Sequence, residues 1–268
     1  MTLPYITVSP PPGVGVFGAA LIAAGVTGVA AAWLTARALA LAGGEAVAIA
    51  GLCAVAGLIG AHAFEIAWYR PEDAGDVGVW LRVTDGVSLF GALGAGGLVA
   101  LLWMRARQLD LAAYADALAV GCLVALVVGR VGCALVHDHP GAPTALPIGV
   151  DFPGGVRLHD LGLEELALLV PLMLVGMFLF GLRVRPGTVA AFAALGYAAL
   201  RLGLDFLRSP ATEPRLAGLT GGQLGSIALV IATLIALVVR ARSGPGRKGR
   251  RSTMRVRVPT PPGNTLPP

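Results

Sequence analysis

Long apolar runs, separated by short polar segments, make up most of this sequence. Each run reaches about 18 residues or more, the length at which a helix can cross the hydrocarbon core of a bilayer. The runs show no strand periodicity. They predict seven spanning helices, near residues 14–34, 45–68, 86–104, 112–136, 162–182, 188–207 and 219–240. The predicted fold class is therefore all-α, a polytopic membrane helical bundle.

Composition and charge support this class. Charged residues make up 13% of the 268 residues, about half the share of roughly 25% in soluble domains. Cys53, Cys122 and Cys133 lie in apolar runs without paired spacing, which argues against a disulfide framework and a zinc site. Most of the net charge of +5 lies between Arg240 and Arg257, directly after an apolar run. Such a segment is typical of an anchor to anionic lipid, so no nucleic-acid partner is predicted.

The distribution of arginine predicts the orientation. One set of helix ends carries Arg37, Arg105, Arg107, Arg183, Arg185 and the basic tail. The positive-inside rule places these ends in the cytoplasm. With seven spans, the N-terminus is then outside and the C-terminus cytoplasmic. Residues 1–242 are predicted to form a transmembrane domain, and residues 243–268 a disordered, basic and proline-rich cytoplasmic tail.

The stretch Gly129–Gly141 contains the first candidate site. Arg130 lies near the end of an apolar run, and a guanidinium at a bilayer centre costs about 2.5–3.5 kcal/mol, so it is rarely kept without a partner or a task. Gly129 and Gly132 are expected to leave the backbone beside it open to a bulky lipid head group. The alternative is an arginine whose side chain simply extends to the interfacial phosphates.

Three titratable residues, His137, Asp138 and His139, follow Arg130. Three interpretations are open. The group could supply a general base, because histidine titrates near neutral pH. It could be a solvated turn, or it could bind a metal with His159 as a further ligand.

A second charged group lies on the sixth predicted helix. Tyr197, Arg201, Asp205 and Arg208 are spaced by four, four and three residues, which places their side chains on one helix face. An Arg201–Asp205 pair could be purely structural. The face could instead bind a phosphate, because arginine offers a planar fork of donors to phosphate oxygens.

The order of these motifs resembles that of the prolipoprotein diacylglyceryl transferase family of polytopic bacterial inner-membrane enzymes. The family signature G-R-x-G-N-F, followed by a Glu and a Gly, is similar to Gly129–Ala134 followed by Asp138 and Gly141. The family's Tyr/Arg/acid/Arg pattern is similar to Tyr197–Arg208. Its L-T-x-G-Q-L and G-M-S-F-H-G blocks are similar to Leu219–Leu224 and Gly86–Gly91. The resemblance covers the chain from about the second helix to the last.

This sequence departs from the family at several motif positions. Phe90 stands at a family histidine, and Cys133 stands at an asparagine. Asp138 and Asp205 stand at glutamates. The family block H-P-S-Q-x-Y-E corresponds to His159–Glu165, without its tyrosine.

The resemblance implies transfer of a diacylglyceryl group from phosphatidylglycerol to the thiol of a lipobox cysteine in the signal peptide of an exported prolipoprotein. It implies a site towards the outer leaflet of the bacterial inner membrane. We expect no cofactor and no metal. Arg130 and Arg201 would bind the phosphate and stabilise the leaving group, and His137 or Asp138 would be the base. The residues expected to contact the substrate or orient the arginines are Gly129, Gly132, Cys133, Gly141, Tyr197, Asp205 and Arg208.

Two other functions are open. The substitutions at the motif positions fit a catalytically inactive lipid- or lipoprotein-binding paralogue, which keeps the arginines and loses groups for proton transfer. A transporter could instead use His62, Glu65, Arg130 and Arg201 as a proton or anion path. The sequence has no internal repeat of the kind many transporters carry. His62 and Glu65, three residues apart, are otherwise expected to form a hydrogen-bonded pair that lines the bundle.

Overall fold

The computed structural model describes residues 3–6, 15–82, 86–211 and 213–242. Within these ranges the helices are α1 (Val16–Ala38), α2 (Gly43–Tyr69), α3 (Val77–Leu81), α4 (Leu89–Ala106), α5 (Leu111–Val136), α6 (Leu161–Gly181), α7 (Thr188–Leu204) and α8 (Gly221–Arg242). All except the short α3 are long and apolar enough to cross a membrane. The predicted polytopic helical bundle is therefore confirmed. The predicted tail, residues 243–268, lies outside the described residues.

Small residues set the spacing between neighbouring helices. A Cβ added to Gly60 of α2 would lie 2.5 Å from the carbonyl oxygen of Gly91 in α4. A Cβ added to Gly121 of α5 would lie 2.6 Å from the carbonyl oxygen of Gly28 in α1. Backbones that approach this closely gain dispersion contacts, which drive helix association in lipid where the hydrophobic effect between helices is absent.

Polar contacts join helix ends at the end of the bundle that lies opposite the candidate site. At this end, Arg183 NH1 donates a hydrogen bond to the carbonyl oxygen of Ala38 over 2.7 Å. At the same end, Asp116 of α5 accepts hydrogen bonds from the backbone nitrogens of Gly187 and Ala190, at 2.6 and 2.8 Å. These bonds satisfy donors in the first turn of α7 that have no partner within the helix. The candidate site lies at the opposite end, called the sheet end below.

The sheet end carries short strands that the sequence did not predict. Strands β1 (Leu3–Pro4), β2 (Pro140–Pro143), β3 (Val150–Phe152) and β4 (Val156–Asp160) form a sheet of order β1-β3-β4-β2. β1 pairs in parallel with β3, and the other pairs are antiparallel. Gly154 and Gly155 turn the chain from β3 to β4 with φ of 95° and 76°, a conformation that favours glycine. A second pair, β5 (Arg215–Leu216) and β6 (Leu219–Thr220), precedes α8.

Candidate functional site

Two arginines from different helices meet on one carboxylate oxygen at the sheet end. Arg130 NH2, near the end of α5, lies 2.9 Å from Glu165 Oε2. Arg201 NH1, near the end of α7, lies 2.7 Å from the same oxygen. Tyr197 donates its hydroxyl proton to Glu165 Oε1 over 3.1 Å. Glu165 of α6 is fully buried, so this carboxylate compensates charges that would otherwise be costly inside the bundle.

Asp205, directly after the end of α7, extends this group of charges. Arg201 NH2 lies 2.7 Å from Asp205 Oδ1, which also contacts Arg208 Nε at 3.1 Å. Thr220 donates its hydroxyl proton to Asp205 Oδ2 over 2.5 Å. Arg208 NH1 continues the network to Glu213 Oε2 at 2.9 Å. The four predicted side chains are joined into one ion-pair network, but they do not share a continuous α-helix: Tyr197 and Arg201 lie on α7, and Asp205 and Arg208 lie in the turn that follows its end at Leu204.

The start of α8 packs directly against this network. Thr220 Oγ1 accepts a hydrogen bond from the backbone nitrogen of Gln223, and Gln223 Oε1 accepts one from the backbone nitrogen of Thr220, at 3.0 and 3.1 Å. This reciprocal arrangement is a capping box, which fixes where the helix begins. A Cβ added to Gly222 would lie 2.1 Å from Asp205 Oδ2. Only glycine lets the first turn of α8 come this close to the carboxylate.

The glycines around Arg130 require a correction. A Cβ added to Gly132 would lie 2.4 Å from Ala20 Cβ of α1, and the atom nearest to one added to Gly129 is Ala24 Cβ, 3.8 Å away in the same helix. Residues 129 and 132 are three apart and share one helix face. That face packs on α1, so the expectation that these glycines open the backbone to a head group was wrong.

Gly141 and Cys133 differ in what they contact near the site. A Cβ added to Gly141 would meet the carbonyl oxygen of Leu207 at 2.8 Å and His159 Cβ at 2.9 Å. Gly141 therefore allows β2 to pack against the turn that follows α7. Cys133 is buried, and its Sγ accepts a hydrogen bond from Arg130 NH1 at 3.5 Å. Of these two residues, Cys133 is the one in contact with the arginine pair.

The histidines do not form the metal-binding set considered from the sequence. His137 Nδ1 pairs with the carboxylate of Asp160, while its Nε2 lies 3.2 Å from the carbonyl oxygen of Ile6. The His137 ring also stacks on Tyr5, with 4.8 Å between ring centroids. His159 Nδ1 lies 2.7 Å from Glu164 Oε1. His137 therefore joins the residues that follow β1 to the start of α6, and His159 is held by a separate partner.

A different set of side chains could hold a metal. Ligand atoms of Cys133, Asp138 and His139 all lie within 4.8 Å of one another. Asp138 and His139 contact each other directly. The Arg130 guanidinium beside Cys133 Sγ places a positive charge next to this set, which opposes cation binding. The absence of a metal stays a prediction.

The expected hydrogen bond between His62 and Glu65 is not formed. His62 Nε2 lies 3.0 Å from the carbonyl oxygen of Val79, and Nδ1 lies 3.3 Å from that of Gly86. The imidazole thus ties α2 to α3 and to the segment before α4. Glu65 instead packs against Gly86, where an added Cβ would lie 2.7 Å from Glu65 Cγ. The pairing failed because both ring nitrogens face backbone carbonyls from outside the helix.

Sequence reasoning missed the carboxylate at the centre of the site. Glu165 was identified only as the last position of a family block, although an acid early in an otherwise apolar run is itself a functional signal. Glu213 lies in a polar connection and carries no distinguishing pattern. Thr220 and Gln223 are three residues apart, and that Thr-x-x-Gln spacing could have identified the capping box.

The fold and the site define a class of protein: a multi-pass helical membrane protein with a buried arginine–carboxylate network at one end of its bundle. The family model for prolipoprotein diacylglyceryl transferase matches residues 5–239. The chain therefore belongs to the prolipoprotein diacylglyceryl transferase family.

Similar proteins carry the same description. The chain is 28% identical to the phosphatidylglycerol–prolipoprotein diacylglyceryl transferase of Corynebacterium efficiens over 284 residues, which cover 92% of this chain and 85% of that protein. It is 32% identical to the enzyme of that name from Methylocella silvestris over 172 residues, covering 60% of this chain and 62% of that protein. The protein of that name from Corynebacterium glutamicum is 34% identical over 161 residues, covering 55% and 50%.

Proposed function

We infer that this protein transfers a diacylglyceryl group from phosphatidylglycerol to a prolipoprotein. The observation that carries this function is the convergence of Arg130 and Arg201, 2.9 and 2.7 Å from one oxygen, in a member of this family. Two guanidiniums at one point suit a phosphodiester, because each offers a planar fork of donors to phosphate oxygens. The family match favours this function over an inactive binding protein and over a transporter.

The reaction requires a leaving group and a nucleophile. The acceptor thiol loses its proton, its sulfur forms a bond to the terminal carbon of the diacylglyceryl group, and the bond from that carbon to the phosphate oxygen breaks. Glycerol phosphate leaves with the bonding electrons and takes up a proton. Arg130 and Arg201 stabilise the negative charge that develops on this leaving group.

The two arginines can bind a phosphate while they keep Glu165. Each guanidinium has five N–H donors, and Arg201 uses NH1 for Glu165 and NH2 for Asp205. Tyr197, Asp205 and Arg208 then act by orienting Arg201. Glu165 holds both guanidiniums against one oxygen, so the two stay next to each other.

A base is required because the thiolate is the nucleophile and a free thiol has a pKa of about 8.5. Asp138 is the better candidate of the two residues considered from the sequence. Its carboxylate lies within 4.8 Å of Cys133 Sγ, the atom that Arg130 NH1 contacts. Both ring nitrogens of His137 are instead engaged, by Asp160 and by Ile6.

The acceptor is proposed to present a lipobox cysteine from its signal peptide at the sheet end. This end faces outward in the orientation that the arginine distribution favours, so the site opens towards the outer leaflet of the bacterial inner membrane. A reporter fused after Arg257 is then expected to be cytoplasmic, and an external location would contradict this orientation.

The transferase is tested by complementation of a strain depleted of its own prolipoprotein diacylglyceryl transferase. Lipoprotein modification is measured by mass spectrometry of the thioether product. Rescue is expected with the wild type and absent with Arg130→Ala and Arg201→Ala at equal protein levels. An Arg105→Ala variant, altered at the opposite end of the bundle, serves as the control. Phosphatidylglycerol binding without thioether product would favour the inactive paralogue.

A further inference from the structure

We propose that the first turn of α8, with the side chains of Trp68, Arg201 and Gln223, is a subsite for the ester carbonyl oxygens of the donor lipid. The proposal rests on the proposed function and adds a second contact to the same substrate. The arginine pair holds the phosphate, and this subsite holds the glycerol esters that lie between the phosphate and the acyl chains.

Three buried nitrogen donors in this region have no hydrogen-bond partner among the residues that the structure describes. They are Trp68 Nε1, Arg201 Nε and Gln223 Nε2. Gln223 is fully buried, and Arg201 is 5% exposed. A buried donor without an acceptor costs free energy, so three of them on residues around the start of one helix indicate a ligand that brings acceptor atoms.

All three residues border the first turn of α8. Trp68 Nε1 lies 2.8 Å from the position that a Cβ on Gly221 would take. Arg201 NH2 lies 3.1 Å from the corresponding position on Gly222. Gln223 belongs to the same turn. The two glycines allow groups from α2 and α7 to approach the start of α8 from two directions.

The capping box fixes the orientation of the Gln223 amide. Its Oε1 accepts the hydrogen bond from the backbone nitrogen of Thr220 at 3.1 Å. A flipped amide would place Nε2 against the backbone N–H of Thr220, which is also a donor. Oε1 therefore makes the capping hydrogen bond, and Nε2 is the atom left without a partner. The positive end of the α8 dipole adds to the preference for an acceptor at this point.

The chemistry of the three donors identifies the ligand. Two of them are uncharged, and none of the three nitrogens can accept a hydrogen bond. A neutral carbonyl oxygen matches such donors without a further counter-charge. Trp68 lies in the last turn of a spanning helix, and tryptophan is enriched at that depth of a membrane. Ester carbonyls of phospholipids lie at the same boundary between the polar and apolar layers.

The experiment compares two donor lipids that differ only at these oxygens. Diester phosphatidylglycerol has both carbonyls, and diether phosphatidylglycerol with the same chain length has none, while the phosphate is unchanged. Affinity is measured by competition against a fluorescent phosphatidylglycerol in detergent micelles, and thioether formation on a lipobox peptide is followed in parallel. The variants are Trp68→Phe, which removes one donor, and Gln223→Glu, which keeps the capping oxygen and removes the amide donors. Trp80→Phe is the control, because Trp80 Nε1 already donates to the carbonyl oxygen of Ala74.

The wild type is expected to bind the diester lipid about tenfold more tightly than the diether lipid. The ratio of the two affinities should fall towards one in Trp68→Phe and Gln223→Glu and stay at about tenfold in Trp80→Phe. Equal affinities in the wild type would overturn the subsite, as would variants that weaken both lipids equally, since the donors would then bind the phosphate. Absence of thioether product with either lipid would instead contradict the proposed function, and the binding measurement would still decide the subsite.

Discussion

Gly222 and Asp205 lie so close together that a Cβ on the glycine would be 2.1 Å from the carboxylate oxygen Oδ2. The contact joins the start of α8 to the carboxylate that orients Arg201 and Arg208. Real Cβ atoms do not approach an oxygen this closely, so a larger residue must displace either the helix or the carboxylate.

Gly222→Ala is therefore expected to reduce transferase activity strongly, because the displaced Asp205 no longer holds Arg201 in place. Displacements of about 1 Å near a reacting group can cost about 100-fold in rate. The control is Gly203→Ala in α7, where an added Cβ meets nothing within 4 Å. Gly203→Ala should keep full activity, and equal losses in both variants would contradict the role of this contact.

Glu165→Gln should destabilise the protein. The substitution keeps the shape of the side chain but removes the charge that two buried guanidiniums share. Removing one partner of a buried ion pair costs about 3–5 kcal/mol, which should appear as a clear drop in melting temperature in detergent. Glu72→Gln changes an exposed acid and should leave the melting temperature unchanged. An unaltered melting temperature in Glu165→Gln would contradict the role of this carboxylate as the counter-charge that the two arginines share.

Asp138→Asn tests the proposed base. Losing a positioned proton acceptor typically lowers the rate by 100- to 10,000-fold, so kcat should fall by this order while phosphatidylglycerol binding persists. Asp151→Asn is the control, since Asp151 of β3 pairs with a different arginine, Arg157 of β4, at 2.8 Å. Retained activity in Asp138→Asn would exclude this carboxylate as the base.

Metal removal is expected to have no effect. Cys133, Asp138 and His139 could offer three ligands, but the Arg130 guanidinium contacts the cysteine sulfur. The purified protein should contain no stoichiometric zinc, and dialysis against a chelator should leave activity unchanged. Zinc at one equivalent, lost in Cys133→Ser, would show that the electrostatic argument is wrong.

The helices were predictable because a bilayer imposes a length and an apolar composition on every spanning segment. The Arg201–Asp205 contact was also predictable, since residues four apart on one helix are neighbours. The short strands of the sheet end were not predictable, because β2 is built largely from proline and glycine and lies within a connection between apolar runs.

The role of Glu165 could not be predicted from spacing. It depends on how α6 is rotated relative to α5 and α7, and periodicity within one helix does not fix that rotation. The same reason explains the error over Gly129 and Gly132, whose shared face was predictable while the helix opposite it was not. Contacts between helices therefore define this site, whereas the sequence predicted only which residues lie near each other within one helix.

A structure of the protein with bound phosphatidylglycerol tests the central claim most directly. The phosphate is predicted to lie within hydrogen-bonding distance of both Arg130 and Arg201. A phosphate bound elsewhere, or in contact with only one of these two guanidiniums, would contradict the account.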